Sequence, residues 1–104
     1  MPRVRIRYFA HIAERMGIKE KELLVPEGFT LAELLLEHIP MKHPDIGQEF
    51  VRVLFKADEE GNPVLSGRYL VLVNGRSWTS LPGKMCYELR EGDKISIFPP
   101  LGGG

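Results

Sequence analysis

The residues best suited to chemistry close the sequence: Phe98-Pro99-Pro100-Leu101-Gly102-Gly103-Gly104. Glycine has no Cβ, so Gly102, Gly103 and Gly104 can lie extended in a slot too narrow for any side chain. A carboxyl on Gly104 is sterically bare, and with an ordinary pKa of about 3.3–3.7 it is an anion at neutral pH, able to attack an activated phosphate. Pro99 and Pro100 fix φ and donate no ladder hydrogen bonds, so they end the preceding strand and start the tail stiff. Four further residues reach about 13 Å at full extension. Such a tail is expected to enter another protein's active site while the body stays outside, with Leu101 a candidate anchor in the partner's groove. The plain alternative is a frayed end, although fraying needs no prolines and a linker composition usually mixes in serine or charge.

The remaining reactive side chains are sparse. Cys86 is the one cysteine; between Met85 and Tyr87 it reads as a small buried hydrophobe rather than a persulfide relay. A single cysteine makes no intramolecular disulfide and holds no zinc or iron–sulfur site alone. His11, His38 and His43 lack a spacing that brings two ligands and a carboxylate together, so no metal is expected. Arg3, Arg5 and Arg7 form a basic stripe, read as a solvated sheet face paired to glutamates rather than a docking site. Trp78 and the apolar run near Tyr69 are read as core packing.

Composition narrows the class. The chain has 104 residues, 43% hydrophobic and 27% charged, with a formal net charge of zero. That length suits one domain with a modest core, and the charge balance gives no field toward nucleic acid or an anionic membrane. No apolar run approaches the roughly 18–20 residues of a membrane span, and Met1-Pro2-Arg3-Val4-Arg5 alternates too early for a signal peptide. A cytoplasmic protein is expected.

The elements that would position the tail follow from periodicity. Arg3 to Tyr8 alternates strictly, a half-buried strand with Val4, Ile6 and Tyr8 inward. Tyr8 to Gly17 predicts a short helical turn with Gly17 as a left-handed stop. Lys21 to Val25 predicts an antiparallel second strand whose neighbours Glu20 and Glu22 face the arginines. Thr30-Leu31-Ala32-Glu33 is a capping box, with Phe29 placed to staple against Leu34. Leu31, Leu34, Leu35 and Ile39 then form the apolar stripe of the main helix, and Pro40 is expected to stop it. From 41 to 68 the pattern is least legible: Pro44-Asp45 opening a helix with Ile46, Phe50, Val53 and Leu54 on one face is preferred to a strand over 50–55. Asp58 to Pro63 reads as a polar loop. Tyr69 to Val73 predicts a strand, Asn74-Gly75 a type I′ turn, Arg76 to Thr79 a short return strand, and Lys94 to Phe98 the last strand after the Glu91-Gly92-Asp93 turn.

Strand, strand, helix and further strands before a glycine tail resemble the β-grasp, or ubiquitin-like, fold. Tyr8-Phe9-Ala10 after the first strand, Asn74-Gly75, and Leu89 with Gly92-Asp93, Ile95, Ile97 and Phe98-Pro99-Pro100 are similar to the MoaD/ThiS group of sulfur carriers. The Phe-Pro-Pro approach is most similar to the small subunits of molybdopterin synthase. The resemblance implies an α+β domain over residues 1–100, a mixed sheet with one main helix packed on one face, and a reactive tail over 101–104. Two departures stand out: the middle segment is longer than in compact members, and Gly102 is additional to the usual terminal pair.

The resemblance further implies that an E1-like adenylyltransferase of the MoeB/ThiF type uses ATP to adenylate the Gly104 carboxylate, with no cofactor bound to the chain itself. A persulfide donor then displaces AMP, leaving a thiocarboxylate whose sulfur passes to a pterin precursor on a MoaE-type large subunit. Gly103, Gly102, Leu101, Pro100, Pro99 and Phe98 are the implied partner-binding residues. Catalytic side chains belong to the partners, and this chain contributes positioning. Open alternatives are sulfur delivery for transfer RNA or thiazole synthesis, conjugation to lysines as a protein modifier, or a plain β-grasp binding module. The absence of net positive charge argues against an RNA-binding version of that module.

Overall fold

The computed structural model describes residues 1–99. Strand β1 (Arg3–Tyr8) alternates exposed and buried residues as its sequence demands. Helix α1 (His11–Met16) stops at Gly17, whose φ of 76° lets its N–H bond back to the carbonyls of Ala13 and Glu14. Strand β2 (Glu20–Leu24) returns antiparallel to β1, pairing Arg5 with Glu22 and Arg7 with Glu20. The expected ion pairs form on this face: Arg5 reaches both glutamates at 3.3 Å, and Arg7 reaches Glu20 at 3.2 Å. All are well exposed, so they contribute little stability.

Helix α2 comprises Leu31–Glu33, a π-type stretch Leu34–His38, and Ile39–Lys42. The capping box is complete: Glu33 N–H donates to Thr30 Oγ1, and Thr30 N–H donates to a Glu33 carboxylate oxygen. Leu31, Leu34, Leu35 and Ile39 are all buried. Phe29 sets its ring edge-on to His38, 5.8 Å between centroids. Pro40 does not stop the helix, contrary to the sequence expectation. The Ile39 N–H bonds five residues back to the Leu34 carbonyl, so the turn widens ahead of the proline. Pro40 then falls in the first turn of the next α segment, where no N–H is required. The helix ends at His43, before Pro44.

The middle segment folds as the preferred helix, α3 (Gly47–Leu54), burying Phe50 and Leu54. Of the alternative strand only Phe55 is extended: it begins a hairpin, β3 (Phe55–Ala57) with β4 (Pro63–Leu65), that the sequence reading did not contain. Gly47 is where α2 and α3 touch, for a Cβ there would lie 2.6 Å from the Pro40 carbonyl oxygen.

Strand β5 (Leu70–Val73) turns at Asn74 and Gly75, whose φ values of 53° and 82° fit the type I′ turn, into β6 (Arg76–Ser77). The return is shorter than expected because a 3₁₀ turn, Trp78–Ser80, takes over. Strand β7 (Lys94–Phe98) enters the middle of the sheet, in the order β2-β1-β7-β5-β6, parallel to β1 and antiparallel to β5. A mixed sheet with a parallel central pair, crossed by one main helix, is the β-grasp. Its core joins Val4, Ile6, Val71, Val73, Ile95 and Ile97 to the buried stripe of α2; each such side chain contributes roughly 1.5–3 kcal/mol. Trp78 and Tyr69 pack partly against this core. Among the described residues no helix is long and apolar enough to cross a membrane.

Candidate functional site

The site residues expected at Gly104, Gly103, Gly102, Leu101 and Pro100 lie outside the described residues, as does the boundary expected between 100 and 101. Phe98 and Pro99 are described, both half-buried, and they root the tail. β7 reaches this point gripped on both sides, with Tyr8 opposite Ile97 on β1 and Leu70 opposite Phe98 on β5. Beyond the last rung on β1, the Phe9 N–H donates to the Ile97 carbonyl at 3.2 Å. Phe9 then stacks its ring on Phe98, 4.1 Å between centroids and 13° from parallel. The Arg7 guanidinium sits 5.3 Å from the Phe9 centroid, a cation–π contact that closes the stack from outside.

Ala10 follows at φ 55° and ψ −135°, a conformation strained for a residue with a Cβ. It turns the chain sharply from the Phe98 stack into α1. His11, first in that helix, places Nε2 3.0 Å from the Tyr69 hydroxyl. One turn on, Arg15 pairs with Glu49 of α3. That contact raises the Arg15 pKa, the hydrogen bond to Glu49 leading and its charge following.

The opposite end of β7 is fixed by Asp93, which is buried. Its Oδ1 accepts from Asn74 Nδ2 at 2.8 Å, and its Oδ2 accepts from the Tyr87 hydroxyl and the Arg90 N–H, both at 2.9 Å. Asn74 in turn accepts from the Lys94 N–H at 2.9 Å. The two turn motifs read separately in the sequence therefore form one joint. Burial, then the hydrogen bond and charge of Asp93, raise the Tyr87 pKa and keep the phenol protonated.

The open sheet face is divided. Toward β2 it carries Arg3, Arg5, Arg7, Glu20 and Glu22; toward the tail root it carries Leu70, which is 41% exposed, beside half-buried Phe98 and Phe9. The base of the tail thus presents an apolar patch rimmed by charge.

Cys86 departs from expectation. It lies in a 3₁₀ turn, Lys84–Cys86, and is exposed rather than buried. A short turn on the surface points the thiol outward although its neighbours Met85 and Tyr87 pack partly inward. The histidines are dispersed, and among the described residues no group of three or more His, Cys, Asp or Glu is placed to hold a metal. Tyr8-Phe9-Ala10 stands out as a motif in the sequence, but nothing along the chain names the partner of Phe9. Sequence likewise marks Asp93 only as a turn residue and gives His11 no partner. The pairing of β1 with β7 is the missing signal, because it alone brings 9 beside 98.

A model of the ThiS family matches residues 6–104. The chain belongs to the ThiS family. It is thus a ubiquitin-like domain of the MoaD/ThiS type, as the resemblance implied. The human molybdopterin synthase sulfur carrier subunit is 27% identical over 101 residues, 97% of this chain and 93% of that protein. Among solved structures, small archaeal modifier protein 1 from Methanosarcina acetivorans is 30% identical with a TM-score of 0.74, covering 100% of this chain and 98% of its own. A Pyrococcus furiosus protein named as a molybdopterin converting factor, subunit 1, is 28% identical with a TM-score of 0.69, covering 97% of this chain and 100% of its own.

Proposed function

We propose that this ThiS-family chain is a sulfur carrier activated at Gly104 and serving as the small subunit of a molybdopterin synthase. The observation that carries the reading is that the family match runs through the glycine tail to residue 104. The human relative named as a molybdopterin synthase sulfur carrier subunit, and the rigid root at Phe98, support it. An E1-like partner of the MoeB/ThiF type joins the Gly104 carboxylate to the α-phosphate of ATP and releases pyrophosphate. The terminal sulfur of a protein persulfide attacks the acyl carbon, and AMP leaves. A thiol of the donor or activating protein then cleaves the acyl disulfide, forming a disulfide with the donor sulfur that had carried the transferred one and releasing the thiocarboxylate. The resulting thiocarboxylate gives its sulfur to a pterin precursor held by a MoaE-type subunit, and Gly104 returns as a carboxylate. These ATP- and persulfide-dependent steps belong to the cytoplasm.

The likeness to a small archaeal modifier protein favours a second reading, in which Gly104 is conjugated to lysine amines. A single experiment separates the two. The native chain is incubated with its activating enzyme, ATP and a persulfide donor, and its intact mass is followed. The carrier reading expects sulfur to replace one oxygen at Gly104, loss of that gain in Gly103→Val, and loading of Cys86→Ser at the native rate. Absence of loading in the native chain refutes the carrier. In denatured lysates of the native host, adducts that vanish when the terminal glycines are deleted would establish the modifier instead.

A further inference from the structure

Strands β1 and β5 are not neighbours, because β7 lies between them. Yet the residues that continue them at the tail end meet. Tyr8 ends β1 opposite Ile97, and the chain proceeds through Ala10 to His11. Leu70 begins β5 opposite Phe98, and Tyr69 precedes it. The hydrogen bond of 3.0 Å between His11 Nε2 and the Tyr69 hydroxyl therefore spans the end of β7, closing a loop of contacts around the point where the tail departs. The rings add an edge-to-face contact at 5.9 Å.

The bridge lies on the helix side of the sheet. Tyr69 and His11 share the rim of a small cavity with Ile12, Phe50 and Val53. Along β7, buried Ile97 points to this side and Phe98 to the open face, so the bridge and the Phe9 stack lie on opposite faces of the strand end. One face of the tail root is held by the Phe9 stack and the other is crossed by His11–Tyr69. The Arg15–Glu49 pair lies one turn along α1 from His11, on the rim of the same cavity.

We propose that His11 and Tyr69 form a clasp that fixes the direction in which the tail leaves the domain, making both positioning residues for delivery of Gly104. The proposal rests on the carrier reading. Proline fixes its own φ, so the two prolines that follow Phe98 in sequence pass an angular error there toward the reacting carboxylate, and effective molarity depends steeply on such placement. The clasp acts on delivery rather than docking. Its loss lowers kcat for Gly104 adenylation and leaves KM unchanged.

The test uses Tyr69→Phe, which deletes only the hydroxyl, His11→Ala, His11→Gln and the Tyr69→Phe/His11→Ala double variant in the full chain. Pyrophosphate exchange with the activating enzyme gives kcat and KM. A net hydrogen bond of about 1 kcal/mol corresponds to roughly a fivefold fall in kcat. That fall is expected in Tyr69→Phe and His11→Ala, the double variant falls no further, and His11→Gln, which can still pair with the hydroxyl, is close to native. Thr30→Ala, destabilised far from the tail root, controls for stability and retains native kcat. A second measurement needs no partner: the ¹⁵N order parameter at the Phe98 amide drops from about 0.85 toward 0.6 in the clasp variants. Native kcat in Tyr69→Phe, additive losses in the double variant, or an unchanged order parameter at Phe98 each overturn the clasp. Failure of the native chain to load sinks the carrier reading instead, and the order parameter then decides the clasp alone.

Discussion

Replacing Asp93 by Asn tests whether the Gly92-Asp93 turn is a joint of the sheet. The change keeps shape and removes one acceptor. In the native joint the carboxylate takes three donors, Asn74 Nδ2 on one oxygen and the Tyr87 hydroxyl and Arg90 N–H on the other. An amide oriented to keep its oxygen toward Tyr87 and Arg90 turns its own NH₂ toward the NH₂ of Asn74. Asn74 cannot flip to relieve this, because its oxygen already accepts from Lys94 N–H. One charge-assisted bond is lost, about 1.5–3 kcal/mol, and two are weakened from charged to neutral. Relief of the burial cost of a carboxylate offsets part of this. The net expectation is about 2 kcal/mol, a fall in Tm of about 8–16 °C for a domain of this size. Urea denaturation followed by far-UV circular dichroism measures it, with Asn74→Ala and the double variant completing a cycle whose coupling should exceed about 1 kcal/mol. Under the proposed carrier function, Asp93→Asn is expected to load at Gly104 like the native chain below the melting range. A loss under about 0.5 kcal/mol, or additivity with Asn74→Ala, would show that the joint is not what holds β7 in place.

Gly47→Ala should destabilise by about 1–3 kcal/mol in the same urea assay, reversing the usual gain for alanine in a helix, because the new Cβ falls 2.6 Å from the Pro40 carbonyl oxygen. His38 predicts a pH effect. Its Nε2 is buried without a hydrogen-bond partner among the described residues, and burial, then the charge of Lys42, lowers its pKa. The folded form thus disfavours the imidazolium. Its contribution to stability is complete above the ordinary value of about 6.5 and is lost as pH falls below that toward the depressed folded value. Denaturation at about pH 7.5 and about pH 5.5 should show a larger loss in the native chain than in His38→Gln; equal losses would assign the effect to other groups.

The sequence made some features plain and hid others for separable reasons. Arg3–Tyr8 and Lys94–Phe98 each alternate with a period of two across a sheet with one buried face, and that period is visible without tertiary knowledge. The helix start at Thr30 was legible because both partners of the capping box lie within one turn. Pro40 misled because a proline's effect depends on the carbonyl behind it, and the π-type turn at Leu34–His38 moves that carbonyl out of register. The β3–β4 hairpin was hidden by strands of three residues, too short to display a period, the first beginning where α3 ends. The apolar neighbours of Cys86 suggest burial, but a surface 3₁₀ turn exposes it between them.

The tail and its root differ in the same way. A glycine run can lie bare and extended through composition alone, so the chemistry proposed for it is legible along the chain. Its aim cannot. Phe98 acquires a direction only when β7 inserts between β1 and β5, bringing Phe9 onto one face and the His11–Tyr69 bond across the other. These contacts join residues 58 to 89 positions apart in sequence, and the pairing of β7 with β1 on one side and β5 on the other makes them neighbours. Tyr8-Phe9-Ala10 therefore reads as a motif without a role until the sheet is assembled. Ala10 then gains a physical reason for its strained backbone: a relaxed φ would separate Phe9 from Phe98 or His11 from Tyr69, and one residue must turn the chain between both contacts.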